Sequence, residues 1–213
     1  MLYTCESCGK TRLDMGVDGE RSVLICPSCG HEKAFRRLPL FAIGGASGSG
    51  KTAVCQALAG KVPGVICLDG DLFWDRRFTQ DAPDAFYEYV LRISANIAQS
   101  GVPVAIFNAG FGIPGNLESC PSRRFFSEIH YLALWCEEEE LERRLRTREG
   151  ATDEFIQGMK GFNAFFRFGA PGSENGPAVE RLNTSGKPLE ETTASVREWI
   201  EKNREEVPGW TLA

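Results

Sequence analysis

With 213 residues, 42% of them hydrophobic and 25% charged, the chain has room for one α/β domain of ordinary size plus a small appendage, and its composition is that of a globular protein, not a disordered one. A formal charge of −5 and a pI near 5.3 argue against a nucleic-acid binder that works by bulk electrostatics. No run approaches the ~18 uninterrupted apolar residues of a membrane helix, and the first residues lack the basic stretch and apolar run of a secretory signal, so no membrane and a cytoplasmic location are the expectation.

The N-terminal segment carries two Cys-x-x-Cys pairs, Cys5/Cys8 and Cys26/Cys29, with about seventeen residues between them, a spacing typical of zinc sites. Each pair is followed by glycine (Gly9, Gly30), which permits the turn that aims backbone N–H groups at thiolate sulfur. Four soft ligands with no spare position predict a closed, structural Zn²⁺ site on Cys5, Cys8, Cys26 and Cys29, with His31 a neighbour and not a ligand. The segment has few apolar residues, chiefly Val23, Leu24 and Ile25, so it needs such a staple to fold. Its basic residues (Lys10, Arg12, Arg21, Lys33, Arg36, Arg37) are nearly balanced by Glu6, Asp14, Asp18, Glu20 and Glu32. That balance favours protein contact, dimerisation or stabilisation over DNA binding, and leaves a homo-oligomer open. Cys55, Cys67, Cys120 and Cys136 lie in apolar segments and read as small hydrophobes. The character changes near Leu38, which divides the chain into a zinc ribbon, 1–37, and a larger α/β part, 38–213.

In the larger part, short apolar runs at 40–44, 64–68, 102–107, 129–134 and 179–183 read as buried strands. Helical patterns at about 51–60, 84–99, 138–148, 153–167 and 189–203 alternate with them, and a weaker one covers 117–126. That alternation predicts a three-layer α/β/α fold around a five-stranded parallel sheet. Residues 169–177 are rich in Gly, Pro and Ser and read as a loop, and Pro208-Gly209 ends the last helical pattern.

Between the first strand and first helix stands Gly45-Ala46-Ser47-Gly48-Ser49-Gly50-Lys51-Thr52, which matches G-x-x-x-x-G-K-[ST]. Glycines let backbone N–H groups turn inward around phosphates, and the following helix offers its positive N-terminus. Lys51 is expected at the β- and γ-phosphates and the Thr52 hydroxyl on Mg²⁺. The second strand runs into Asp69-Gly70-Asp71 beside this loop, at the carboxyl end of a parallel sheet where ligands bind. Two carboxylates there can divide the labour: one holds Mg²⁺ through water, the other accepts a hydroxyl proton.

Leu68-Asp69-Gly70-Asp71 resembles the strand-two segment of P-loop small-molecule kinases such as adenylylsulfate kinase and gluconate kinase; chloramphenicol phosphotransferase belongs to the same group. The resemblance spans roughly residues 40–202 and is sharp at four short segments. It implies that Asp71 is the acceptor-side base and that Asp69 helps to position Mg²⁺. Glu140 to Arg148 resembles the lid entry of nucleoside-monophosphate-like kinases, which places Arg144 near the adenine and Arg148 at the transferring phosphate. The same run also pairs Glu139 with Arg143, Glu140 with Arg144 and Glu142 with Arg146 at i,i+4, so a solvated, salt-bridged helix face is the plainer alternative. Residues 181–188 resemble the loop that flanks the base in these kinases, which makes Ser185 and Lys187 adenine-side candidates.

One departure stands out: the third strand ends in Asn108, where many P-loop proteins place an aspartate. Kinases of this group often lack that aspartate, and no Asn-Lys-x-Asp guanine motif is present, so a GTPase is disfavoured. Acceptor-side candidates are Phe73, Trp74, Arg76, Arg77, Phe107, Phe111 and Arg124, which equally suit core filling. Phe155, Phe162, Phe165, Phe166 and Phe168 share one helix and read as packing for the lid. The expectation is an ATP- and Mg²⁺-dependent kinase acting on a small-molecule hydroxyl: a nucleoside, nucleotide or sugar-like acceptor. The rival is a regulatory ATPase whose ribbon binds a protein or nucleic acid.

Overall fold

The computed structural model describes residues 1–79, 83–169 and 176–204. The loop expected at 169–177 falls largely outside the described residues, as does Pro208-Gly209. Three short strands, β1 (Gly16–Asp18), β2 (Val23–Ile25) and β3 (Glu32–Ala34), pair antiparallel in the ribbon.

The larger sheet is built from β4 (Leu40–Gly45), β5 (Ile66–Asp69), β6 (Val104–Phe107), β7 (Ile129–Trp135) and β8 (Val179–Asn183), all parallel, in the order β5-β6-β4-β7-β8. All six residues of β4, the central strand, are buried. Its side chains alternate between faces. Leu40 and Ala42 join one apolar cluster, Phe41 and Ile43 the other. Helices α1 (Lys51–Leu58) and α6 (Leu189–Asn203) cover the Phe41 face through Val54, Leu58, Val196, Trp199 and Ile200. Helices α2 (Asp84–Ala98) and α3 (Pro114–Glu118) cover the Leu40 face through Phe86, Val90, Leu91 and Leu117. Helices α4 (Glu138–Arg146) and α5 (Asp153–Phe168) pack together on Leu141, Leu145 and Ile156. The three-layer parallel architecture is therefore present.

The helix expected over 117–126 is replaced by two short pieces, α3 and a 3₁₀ turn at Pro121–Phe125. Pro121 carries no N–H and restricts the residue before it, so one continuous helix cannot form there. The four scattered cysteines are free thiols, three of them buried, as small core hydrophobes should be.

The ribbon does not stand apart. Leu2, Tyr3, Met15, Leu24 and Phe35 belong to the same buried cluster as Phe86, Val90 and Phe125 of the larger part. Leu2 N donates to Asn96 Oδ1 at 3.1 Å and the Tyr3 and Ser122 hydroxyls meet at 3.1 Å. Gln99 closes a pair with the Arg36 backbone at 2.9 and 3.0 Å, and Arg124 Nη2 reaches Leu13 O at 3.2 Å. The apolar side of the ribbon is thus spent on α2 and the 121–125 turn.

Candidate active site

The phosphate cradle forms where β4 ends and α1 begins. Gly45 adopts φ 148°, and a Cβ there would lie 2.5 Å from Leu134 O and 2.6 Å from Ser49 Oγ, so only glycine fits. Gly48 and Gly50 also take positive φ, which turns the loop back on itself before α1. Lys51 is buried, and its ammonium donates to Gly45 O at 2.7 Å and Ala46 O at 3.0 Å. Burial pulls its pKa down to about 8, against the favourable pull of Asp71. Ser49 Oγ is buried without a hydrogen-bond partner. A cation held on bent-back carbonyls and an orphaned hydroxyl at a helix N-terminus are the donor set of an anion site, so a polyphosphate fits these residues.

A groove of about 430 Å³ opens over this loop, lined by Ser47, Lys51, Thr52, Asp71, Arg144 and Arg148 among others. Thr52 is exposed on it. Arg148 lies across it and donates to Ser47 Oγ at 2.8 Å. A smaller space of about 260 Å³ adjoins, between Gly50, Val54, Arg144, Thr184, Lys187 and Leu189. Arg144 stands at both. Its guanidinium is anchored on Glu140 at 2.8 Å and spans to Gly48 O (3.2 Å), Thr184 Oγ1 (3.2 Å) and Thr184 O (2.9 Å). Thr184 Oγ1 in turn donates to Ser49 O at 3.1 Å.

The two readings of the arginine run therefore coexist. Glu140 pairs with Arg144 and Glu142 with Arg146, while Arg143 takes Glu140 instead of Glu139. Hydrogen bonds from Arg143 and Arg144 hold the Glu140 carboxyl down to about 2. Arg144 on this helix and Arg148, just beyond its C-terminus, both line the groove. Ser185 does not face the adjoining space: its Oγ accepts from Glu137 N at 2.6 Å. Lys187 lines it and pairs with Glu191 at 3.3 Å.

Asp69 ends β5 and caps the following 3₁₀ turn (Gly70–Phe73) by accepting from Asp71 N at 3.0 Å. Asp71 lines the groove, as Arg148 does, and accepts a 2.6 Å bond from Asn108 Nδ2. Sequence reasoning marked Asn108 as a departure and gave it no task. The signal was there: a polar residue that ends an apolar strand next to the one carrying Asp69.

The acceptor candidates divide. Phe107 and Phe111 are buried core. Arg124 is committed to the ribbon and stacks over Phe125. Trp74 is 40% exposed and packs on Phe78 and Phe86, while Arg77 pairs with Asp75 and lies over Phe78 and Tyr89. Phe162, Phe165 and Phe166 form one aromatic group on α5; Phe168 is 74% exposed. A separate cavity of about 570 Å³ lies between Gly112, Pro114, Ala133, Phe166, Val179 and Arg181 and touches neither the cradle nor Asp71.

In the ribbon, the four sulfur atoms of Cys5, Cys8, Cys26 and Cys29 lie within 4.8 Å of one another, with contacts of 3.7 Å (Cys5–Cys29) and 3.8 Å (Cys8–Cys26). Tetrahedral thiolates about 2.3 Å from one zinc ion stand about 3.8 Å apart, so the set fits that ion. Gly9 N and Gly30 N close the two turns on Cys5 O and Cys26 O at 3.0 and 2.9 Å. The Ser28 backbone N–H helps to hold the Cys26 thiol down to about 7.

Fold and cradle together define the class of structure: a parallel P-loop α/β/α sheet whose strand-two end carries paired carboxylates. Comparison with solved structures agrees. A sugar kinase from Janibacter sp. HTCC2649 superposes with a TM-score of 0.57 at 17% identity, over 78% of this chain and 95% of that one. The tunicamycin resistance protein of Deinococcus radiodurans gives 0.56 at 17% identity, over 84% and 99%. A gluconokinase from Sinorhizobium meliloti 1021 gives 0.53 at 17% identity, over 78% and 98%. The chain has the fold of the P-loop small-molecule kinases. No protein-family model matches it, and no curated protein sequence does.

Proposed function

We propose that this chain is an ATP-dependent phosphotransferase, a 38–213 kinase part carrying a 1–37 zinc ribbon, which moves the γ-phosphoryl group to a hydroxyl of a small sugar-like, nucleoside or nucleotide acceptor. The observation that carries the reading is one groove lined by Lys51, Thr52, Asp71 and Arg148. The sugar kinase and gluconokinase that share its fold support a sugar-like acceptor.

Residues 45–52 wrap the phosphates through backbone N–H groups, and Lys51 leaves the Gly45 and Ala46 carbonyls to meet them. Arg148 lies across the groove to counter charge that develops on the transferred group. Arg144 and Lys187 border the space assigned to the base, and Ser185 fixes the loop beside it through Glu137. Asp71 accepts the acceptor's proton as its oxygen attacks. Thr52 and Asp69 would hold Mg²⁺, which supplies charge neutralisation on the β- and γ-phosphates when bound. Cys5, Cys8, Cys26 and Cys29 would hold Zn²⁺ as structural ligands. In the rival regulatory ATPase the ribbon would bind a partner, whereas Leu2, Tyr3, Met15, Leu24 and Phe35 are packed into the core of the larger part.

The test is an acceptor screen: protein, Mg²⁺ and ATP against sugars, nucleosides, nucleotides and antibiotics, following ADP release. Release that depends on one acceptor class supports the reading. Silence across the panel with ATP still bound overturns it. Once an acceptor is found, Asp71→Asn is expected to abolish transfer while ATP affinity stays within about twofold; equal losses in both would remove Asp71 from the role of base.

A further inference from the structure

Asp71 is exposed, at the first turn of a short 3₁₀ segment, a poor place to hold a base to the tolerance that catalysis needs. Yet one of its oxygens is fixed. Asn108 Nδ2 donates to Asp71 Oδ1 at 2.6 Å, and Asn108 is itself 8% exposed. The other end of the amide is fixed as well, because Asn108 Oδ1 accepts from Gly110 N at 3.0 Å. The two partners determine the orientation of the amide: a carboxylate requires the NH₂ group and a backbone N–H requires the oxygen. Asn108 N is tied to Ile43 O at 3.1 Å, so the residue is anchored to the central strand that leads into the cradle.

The backbone is shaped for this contact. Gly70 precedes Asp71, and a Cβ on it would stand 2.9 Å from Asn108 Cβ and 3.2 Å from Phe107 O. Only glycine lets the strand-two turn close on the end of β6.

We infer that Asn108 is the positioning residue for Asp71: it registers the carboxylate to the P-loop strand while leaving one carboxylate oxygen to the acceptor. The inference rests on the kinase reading and deepens it. An aspartate at this position could not donate, and would set two carboxylates against each other at hydrogen-bond distance. The asparagine at this position is what keeps the Asp71 carboxylate aimed. Asn108 does not touch the acceptor; it acts through Asp71.

The experiment uses Asn108→Ala, Asn108→Asp, Asp71→Asn and the exchanged pair Asp71→Asn/Asn108→Asp in the full chain, read by thermal melting, ATP affinity and transfer to the acceptor found in the screen. Asn108→Asp keeps an oxygen for Gly110 N but loses the donor. It is expected to melt lower than wild type, and the exchanged pair, whose new amide donates to the new carboxylate, to regain at least about 2 °C of that loss. In transfer, Asn108→Ala and Asn108→Asp are expected to lower kcat by about 10- to 100-fold, with ATP affinity and the acceptor KM within about threefold. A wild-type kcat in Asn108→Asp overturns the inference, as does an exchanged pair that melts no higher than Asn108→Asp. If wild type itself transfers to no acceptor, the kinase reading fails and takes this inference with it. If wild type transfers and the Asn108 variants match it, only the inference fails.

Discussion

The two ends of the molecule treat their polar groups in opposite ways. Around the P-loop, an ammonium is buried on two carbonyls, Ser49 Oγ has no partner, and Gly45 holds a conformation closed to other residues. In the ribbon, four thiols converge on one point, each turn is closed by a backbone bond, and the apolar side chains run on into the core. One region leaves a buried hydroxyl without a partner. The other gathers four thiols in a set that would be complete with one zinc ion bound. In the cradle, a hydroxyl without a partner and a desolvated ammonium stand where an anion would complete them.

The sharpest way to break this comparison is to remove the ion. If the ribbon is part of the frame, chelation of Zn²⁺ will lower the melting temperature of the entire chain in one cooperative transition, with one zinc released per chain in a colorimetric assay. Two separate transitions, with the nucleotide site melting unchanged, would show that the ribbon is an independent appendage. Phe35→Ala is the apolar version of the test. Phe35 is buried against Phe125 at 6.2 Å between ring centroids, so its loss is expected to cost about 3–5 kcal/mol in urea unfolding although it lies about ten residues before the P-loop. A cost below about 1 kcal/mol would mean that the shared cluster is cosmetic.

How much of this was legible in the sequence follows the same division. The cradle, the five parallel strands and the cysteine set announce themselves through local chemistry: a glycine pattern, short buried runs and a ligand spacing. Contacts made across the sheet were not legible. Nothing in the local pattern of 102–107 says that Asn108 meets Asp71, 37 residues earlier, because strand order and register decide it. The same holds for Tyr3 and Ser122, which are 119 residues apart. The helix expected over 117–126 failed for a local reason, Pro121, whose effect on backbone bonding outweighs the apolar spacing around it.

On the site side, Lys51→Met is expected to lower turnover by about 10²- to 10³-fold, the usual cost of losing a donor to transition-state charge. Its effect on stability should run the other way. The ammonium is desolvated in the folded chain, so a shape-matched apolar side chain should leave the melting temperature unchanged or higher. A variant that loses both activity and several degrees of melting temperature would place Lys51 in the frame.

The smallest expected effect is one of pH, and it tests the same residue without mutation. Burial lowers the Lys51 pKa from 10.5 to about 8 in the free protein. Below pH 8 the ammonium is charged in both folded and unfolded chains, and the folded state bears the full cost of burying it. As pH rises from about 8 toward 10.5 the folded chain gives up the proton first, so this group's contribution to stability increases across that window. Bound phosphates favour the ammonium and raise its pKa again, so above pH 8 ATP must bring a proton with it. Affinity should therefore fall with pH above 8, by up to about tenfold per unit. Titration calorimetry in buffers of different ionisation enthalpy reads this directly: no buffer dependence from Lys51 at pH 6.5, uptake approaching one proton near pH 9, and loss of that uptake in Lys51→Met. Buffer-independent heats in wild type at pH 9 would mean that the Gly45 and Ala46 carbonyls compensate the ammonium fully. The P-loop would then be as satisfied without its ligand as the ribbon is with its ion, and the contrast between the two regions would not hold.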